Sequence, residues 1–81
     1  MLSADALRGL ARRLARTADR VTALTEQRAR RAAEVTWECP RGRRAVRRSG
    51  ELAGAARADA DQLRAAAHEL GRAAHDLDHT P

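Results

Sequence analysis

The sequence predicts an all-α protein, an antiparallel helix-turn-helix hairpin that assembles with a second chain as a four-helix bundle dimer. The 81 residues include 20 alanines and nine leucines, and both residue types favour helices. Residues typical of strands are scarce, with three valines, one tryptophan and no phenylalanine or tyrosine. Two helices built from such small side chains cannot enclose a large core. We therefore expect a second chain to complete the fold.

The first helix is indicated by large apolar residues at helical spacing over the first third of the chain. They are Leu7, Leu10, Leu14, Val21 and Leu24. Ser3 is a suitable N-cap, and Asp5 follows in the first turn, where the helix dipole favours a negative charge. These signals predict helix one over about residues 4–36.

The second helix repeats the pattern in the last third of the chain. Its large apolar residues are Leu52, Leu63, Leu70 and Leu77, and Ala53, Ala60, Ala67 and Ala74 recur every seven residues beside them. Small residues at such positions let two helix axes approach closely. The pattern predicts helix two over about residues 42–78. Gly50 and Gly54, four residues apart, also suggest a close helix contact.

The centre of the chain predicts a turn at residues 37–41, within a single hairpin domain of residues 1–81. Pro40 disfavours a helical conformation at Cys39 and is itself well suited to the first position of a helix. The sharpest interpretation therefore puts Cys39 at the N-cap and begins the helix at Pro40. The alternative begins helix two at Ser49-Gly50 and leaves residues 37–49 as a loop.

We predict that the large apolar residues of both stripes form the dimer seam. They are Leu7, Leu10, Leu14, Val21, Leu24, Leu52, Leu63, Leu70 and Leu77. The partner is then an identical chain, giving a homodimer, or a related helical hairpin, giving a heterodimer.

The region around the turn is strongly basic. Residues 28–48 hold eight arginines and two glutamates, whereas the whole chain carries a net charge of +5. We predict a recognition tip formed by Trp37, Cys39, Arg41, Arg43, Arg44, Arg47 and Arg48. Such a charge steers acidic partners toward it, which favours an acidic cargo protein. The alternative is nucleic acid bound through the arginines. It is disfavoured because Trp37 is the only aromatic available for base stacking.

No pattern predicts catalysis, a metal site or a cofactor, so an enzyme is not expected. His75 and His79 lie four residues apart and could both ligate one metal ion, but they fall at the end of the predicted helix, which is a poor place for a fixed site. A lone cysteine cannot form an internal disulfide, so an intermolecular disulfide through Cys39 is the one use to consider. The arginine-interrupted N-terminus predicts neither a signal peptide nor membrane insertion.

The turn sequence Trp37-Glu38-Cys39-Pro40, the following Gly42 and the leucine row from Leu63 to Leu77 resemble the WXG-motif family of type VII (ESX) secretion proteins. The resemblance implies a dimeric four-helix bundle that serves as a partner, carrier or chaperone. It departs from the family at Cys39, where glycine or serine is usual, and at Ala45, where many members have an aromatic residue. A chain without tyrosine also lacks the family's Tyr-based export signal. The implied location is the cytoplasm, with export by the type VII route through a signal that a partner supplies.

Overall fold

The computed structural model describes residues 3–34 and 39–80, and these residues form two helices packed antiparallel to each other. Helix α1 spans Ala4–Glu34 and helix α2 spans Pro40–His79. The molecule measures 66 × 16 × 14 Å, which are the dimensions of a single layer of two helices. The predicted all-α helical hairpin is confirmed.

Helix α1 begins with a side-chain cap. The hydroxyl of Ser3 accepts a hydrogen bond from the Ala6 N–H at 3.1 Å, which satisfies one of the free donors at the helix start. Asp5 lies in the first turn. The helix is described to Glu34, and residues 35 and 36 of the predicted range lie outside the described residues.

Helix α2 begins where the Cys39-Pro40 pair predicts. Cys39 is extended, its sulfur accepts a hydrogen bond from the Gly42 N–H at 3.3 Å, and Pro40 occupies the first helical turn. The helix then continues without a break through Ser49 and Gly50 to His79. It is therefore longer than residues 42–78, and Pro40 and Arg41 belong to the helix instead of the turn.

The two helices meet along rows of residues spaced four and three apart, as in an antiparallel coiled coil. One row is mainly alanine, with Ala11, Ala18, Ala60 and Ala74 among its members, and the other is mainly leucine, with Leu7, Leu14, Leu63 and Leu70. Ala18, Ala60 and Ala74 are 0% exposed. The alanine row thus brings the helix axes close together, as the sequence predicts.

The expected close contact at Gly50 and Gly54 is wrong within the described chain. A Cβ atom built on either glycine meets no atom within 4 Å. The reason is their register, because neither glycine belongs to the rows that face α1.

Candidate functional site

One side of the hairpin carries the residues that lie one position after each member of the leucine row in the sequence, and this side is polar. It includes Arg8, Thr22, Arg64 and Asp78, and we call it the ion-paired face. Arg8 of α1 pairs there with Asp78 of α2, and hydrogen bonding to this carboxylate raises the pKa of the Arg8 guanidinium above its usual value. Arg64 donates to the hydroxyl of Thr22 at 2.9 Å and pairs with Asp19 at 3.4 Å. All cross-helix ion pairs found among the described residues lie on this face.

The opposite side carries the residues that directly precede the alanine row; we call it the apolar face. Its members include Leu10, Leu24, Leu52, Ala66 and Ala73, interrupted by Thr17, Arg31 and Asp59. Leu24 is 58% exposed, Leu52 is 60% exposed and Leu10 is 38% exposed. The exposed leucines on this side of the hairpin are a candidate surface for binding another molecule.

The structure divides the nine predicted seam residues into two groups. Five are buried or half-buried between α1 and α2: Leu7, Leu14, Val21, Leu63 and Leu70. Four remain exposed: Leu10, Leu24, Leu52 and Leu77. One part of the stripe is thus used to close the hairpin itself. The signal for this division was the alanine found at every seventh position, which selects the face of each helix that approaches the other.

Near the turn, the contact between the helices opens into a groove. Arg28, Ser49 and Ala56 occupy the positions at which the leucine row would place large apolar side chains. The groove is lined by Thr25, Arg28, Ala29, Ser49, Leu52, Ala53 and Ala56. The hairpin is therefore well packed at its open end and incompletely packed near the turn, where Leu24 and Leu52 are also exposed.

The predicted recognition tip falls mostly on the first three turns of α2. Arg41, Arg43, Arg44, Arg47 and Arg48 are all exposed there, and the first turn contains no acidic residue. The N-terminus of a helix is already positive, so arginines at that end repel both the dipole and each other. An acidic partner would relieve this repulsion. Trp37 lies outside the described residues, so its place in the tip stays a prediction.

The N-cap of α2 is chemically weak, because a thiol sulfur accepts hydrogen bonds poorly. Replacing Cys39 with aspartate should therefore stabilise the start of α2 by about 1 kcal/mol, through a stronger cap and a negative charge beside the arginines. Circular dichroism melting should show a higher Tm for Cys39→Asp than for Cys39→Ala. Equal melting temperatures for the two variants would show that the cap does not stabilise this helix.

The two histidines near the C-terminal end of α2 lie against each other. The rings of His75 and His79 stack with their centroids 4.0 Å apart, and His79 Nδ1 lies 2.7 Å from the carbonyl oxygen of His75. Among residues 3–34 and 39–80, no three metal-ligating side chains come together. The histidine pair is therefore best described as a contact that orders the last turn of α2.

No known family matches the chain. The comparison with family models gave no match, and neither did the comparisons with curated proteins and with solved structures. Within the described helices, no stretch is both long and apolar enough to span a membrane. The accessible surface of the chain is the remaining guide to its function.

That surface is unusually large for the size of the chain. The accessible area is 6526 Å² for 8.8 kDa, whereas a compact monomer of this mass exposes about 4,800 Å². The core that remains is small: in the described part of the chain, no large side chain is fully buried. The excess of roughly 1,700 Å² for one chain is about twice the area of about 800 Å² that each partner of a standard protein interface contributes.

Proposed function

We propose that this protein is a WXG-like interaction hairpin, one half of a four-helix bundle. In this proposal it acts as a partner, carrier or chaperone in type VII secretion. The binding role is carried by the excess of exposed surface over that of a compact monomer, together with the exposure of Leu24 and Leu52. A layer of two helices has a face to cover, and a second two-helix layer covers it with the geometry of ordinary helix packing.

The link to type VII secretion is supported by the resemblance of the turn sequence and by its position between two long helices. Helix α1 is described to Glu34 and α2 begins at Pro40, so Trp37, Glu38 and Cys39 lie in the sequence between the two described helices. The arginines at the start of α2 favour an acidic cargo surface beside this turn. They also make nucleic acid the second candidate ligand, because guanidinium groups bind phosphate as well as carboxylate.

The proposal predicts that stability depends on protein concentration. A tenfold rise in concentration should raise the Tm measurably, because the folded form is then populated through association. Sedimentation should give about twice the mass of 8.8 kDa, or a complex with a related hairpin when that partner is co-expressed. A stable monomer whose Tm does not change with concentration would contradict the proposal.

A gel-shift experiment tests nucleic acid, the second candidate ligand, against an acidic partner protein. Oligonucleotides mixed with it at low salt should not be retarded in a gel, whereas an acidic partner protein should bind. Retardation that disappears steeply with salt, and with replacement of Arg44, Arg47 and Arg48 by glutamine, would favour nucleic acid instead.

A further inference from the structure

We propose that the groove near the turn binds an acidic amphipathic helix of another protein, which inserts a large apolar side chain between α1 and α2. This inference rests on the carrier role in the proposed function, and it names the kind of cargo segment and the place where it binds. It is carried by three properties of the groove: the gap in its packing, the exposed leucines at its margin and the unpaired arginines around it.

The groove is a gap in the leucine row. Toward the open end, this row consists of leucine and valine, whereas near the turn Arg28, Ser49 and Ala56 lie at the equivalent positions. The space between them has a volume of about 130 Å³. An engineered apolar cavity of about 150 Å³ binds a benzene molecule. The groove is therefore large enough to hold one leucine or phenylalanine side chain from a ligand.

The antiparallel register determines which residues of the two helices are level with each other. Leu7 and Ala74 are both buried at the open end, and Thr25 and Ala56 line the same groove near the turn. Both pairs fit one alignment when the two helices rise equally per residue. Each step of one residue along α1 toward the turn is therefore matched by a step of one residue back along α2.

Two exposed leucines lie at the margin of the groove. Leu52 lines the groove, and Leu24 directly precedes the lining residue Thr25. In this register Leu52 is level with Ala29, which is about 8 Å nearer to the turn than Leu24. Apolar side chains on one face of a ligand helix can contact both leucines, because residues four positions apart are separated by about 6 Å along a helix.

Arginines surround the part of the groove that is nearest to the turn. Arg28 lines the groove, Arg31 follows it three residues later on α1, and Arg48 directly precedes the lining residue Ser49 on α2. All three are exposed, and none forms an ion pair within the described part of the chain. Carboxylates of a ligand would pair with these guanidinium groups, whereas a basic ligand would be repelled.

These positions specify the pattern of the ligand helix. Arg31 and Arg48 lie about 3 Å and about 6 Å nearer to the turn than Leu52 in this register. A helix that covers Leu24 and Leu52 with apolar side chains therefore brings its flanking residues beside the two arginines. A leucine stripe bordered by glutamates satisfies both requirements, as in other complexes in which a helix occupies a groove.

The described helices of this chain do not supply such a ligand. Residues 59–78 of α2 are acidic, with five carboxylates and two arginines. Their leucines Leu63 and Leu70, however, are half-buried in the contact with α1, and Asp78 is paired with Arg8. The occupant is therefore a helix of a different protein, as a carrier role requires.

A designed peptide tests the site. The probe is a fluorescein-labelled peptide of about 18 residues, built from leucine, alanine and glutamate, with leucine at every third or fourth position and glutamate on both sides of the leucine stripe. Fluorescence anisotropy should show saturable binding that weakens as salt is added. A peptide with glutamine in place of glutamate, and another with alanine in place of leucine, should each bind at least tenfold more weakly.

Filling the gap distinguishes occupancy of the groove from a loss of fold. Ser49→Leu restores a large member of the leucine row, so it should raise the Tm of the hairpin and yet weaken peptide binding by tenfold or more. Ala58→Leu is the matched control, because it adds a leucine at an exposed position of α2 outside the groove. It should leave the Kd within a few fold. An unchanged Kd for Ser49→Leu would overturn the inference.

The charge of the site is tested separately. Replacing Arg28, Arg31 and Arg48 together by glutamine should weaken binding of the acidic peptide by roughly tenfold or more, because its carboxylates lose three partners. The control replaces three exposed arginines of α1 that lie outside the groove: Arg12, Arg13 and Arg16. It makes the same change in net charge and should weaken binding by no more than a few fold. Equal weakening by both triple variants would show attraction to net charge alone and would overturn the inference.

The outcomes separate this inference from the proposed function. A hairpin that associates but does not bind the acidic peptide would overturn the groove site and leave the interaction role intact. A hairpin that binds the peptide in the groove, but stays a monomer whose Tm does not change with concentration, would support this inference and contradict the four-helix bundle. Equal binding of a peptide with lysine in place of glutamate would contradict the acidic character of the ligand.

Discussion

Replacing Leu70 with aspartate is expected to unfold most of the protein at low micromolar concentration. Leu70 lies in the leucine row between α1 and α2, where it is half-buried. The substitution removes one of the few large side chains in a thin core and places a carboxylate among apolar neighbours. Loss of a fully buried leucine costs about 2–5 kcal/mol, so loss of the half-buried Leu70 should cost about the lower end of that range, and an unpaired carboxylate adds to this cost. A small domain has only about 5–15 kcal/mol of stability to lose.

Circular dichroism at 222 nm and sedimentation together measure this effect. The control is Ala65→Asp, which introduces the same charge at an exposed position of α2 and should retain the helical signal and the mass of the original protein. If Leu70→Asp remained as helical and as associated as Ala65→Asp, the leucine row would not be what holds the hairpin and its assembly together.

Replacing Ala60 with leucine should also destabilise the protein, by about 1–3 kcal/mol. Ala60 is 0% exposed, and the close approach of the helices leaves no space for three more carbon atoms. The added side chain must push the axes apart along their length. For a chain of this size, the expected drop in Tm is roughly 4–8 °C for each kcal/mol.

Two further variants identify the cause of that drop. Ala58→Leu adds the same side chain at an exposed position of the same helix and should leave the Tm within a degree or two. In the antiparallel register, Val21 is level with Ala60, so the double variant Val21→Ala/Ala60→Leu exchanges volume across the seam and should recover part of the loss. A double variant less stable than Ala60→Leu alone would show that the two residues do not share this space.

The helices and the start of α2 could be predicted from the sequence because local signals determine them. Ser3 and Cys39 are capping residues, and Pro40 is compatible with the first turn and no other part of a helix. The distribution of leucines between the two faces was not predictable in the same way. Leu7 and Leu10 both satisfy helical periodicity, and this periodicity alone does not show that Leu7 is buried while Leu10 is exposed. The close helix contact predicted at Gly50 and Gly54 was wrong for the same reason, since the spacing of the two glycines carries no information about which side of α2 faces α1.

The alanine row has a consequence for how the two helices are aligned. Because small residues recur every seven residues on both helices, with Thr25 in place of one alanine on α1, sliding one helix past the other by one heptad would replace most alanine contacts with similar ones. The alanine row therefore discriminates only weakly between the native alignment and its slipped neighbours, whereas the leucine row changes to Arg28, Ser49 and Ala56 near the turn. The charged contacts of the ion-paired face are not periodic in this way, and a slide would separate Arg8 from Asp78 and Arg64 from Thr22. These exposed pairs are modest in strength, and they favour the native alignment of the two helices over its slipped neighbours.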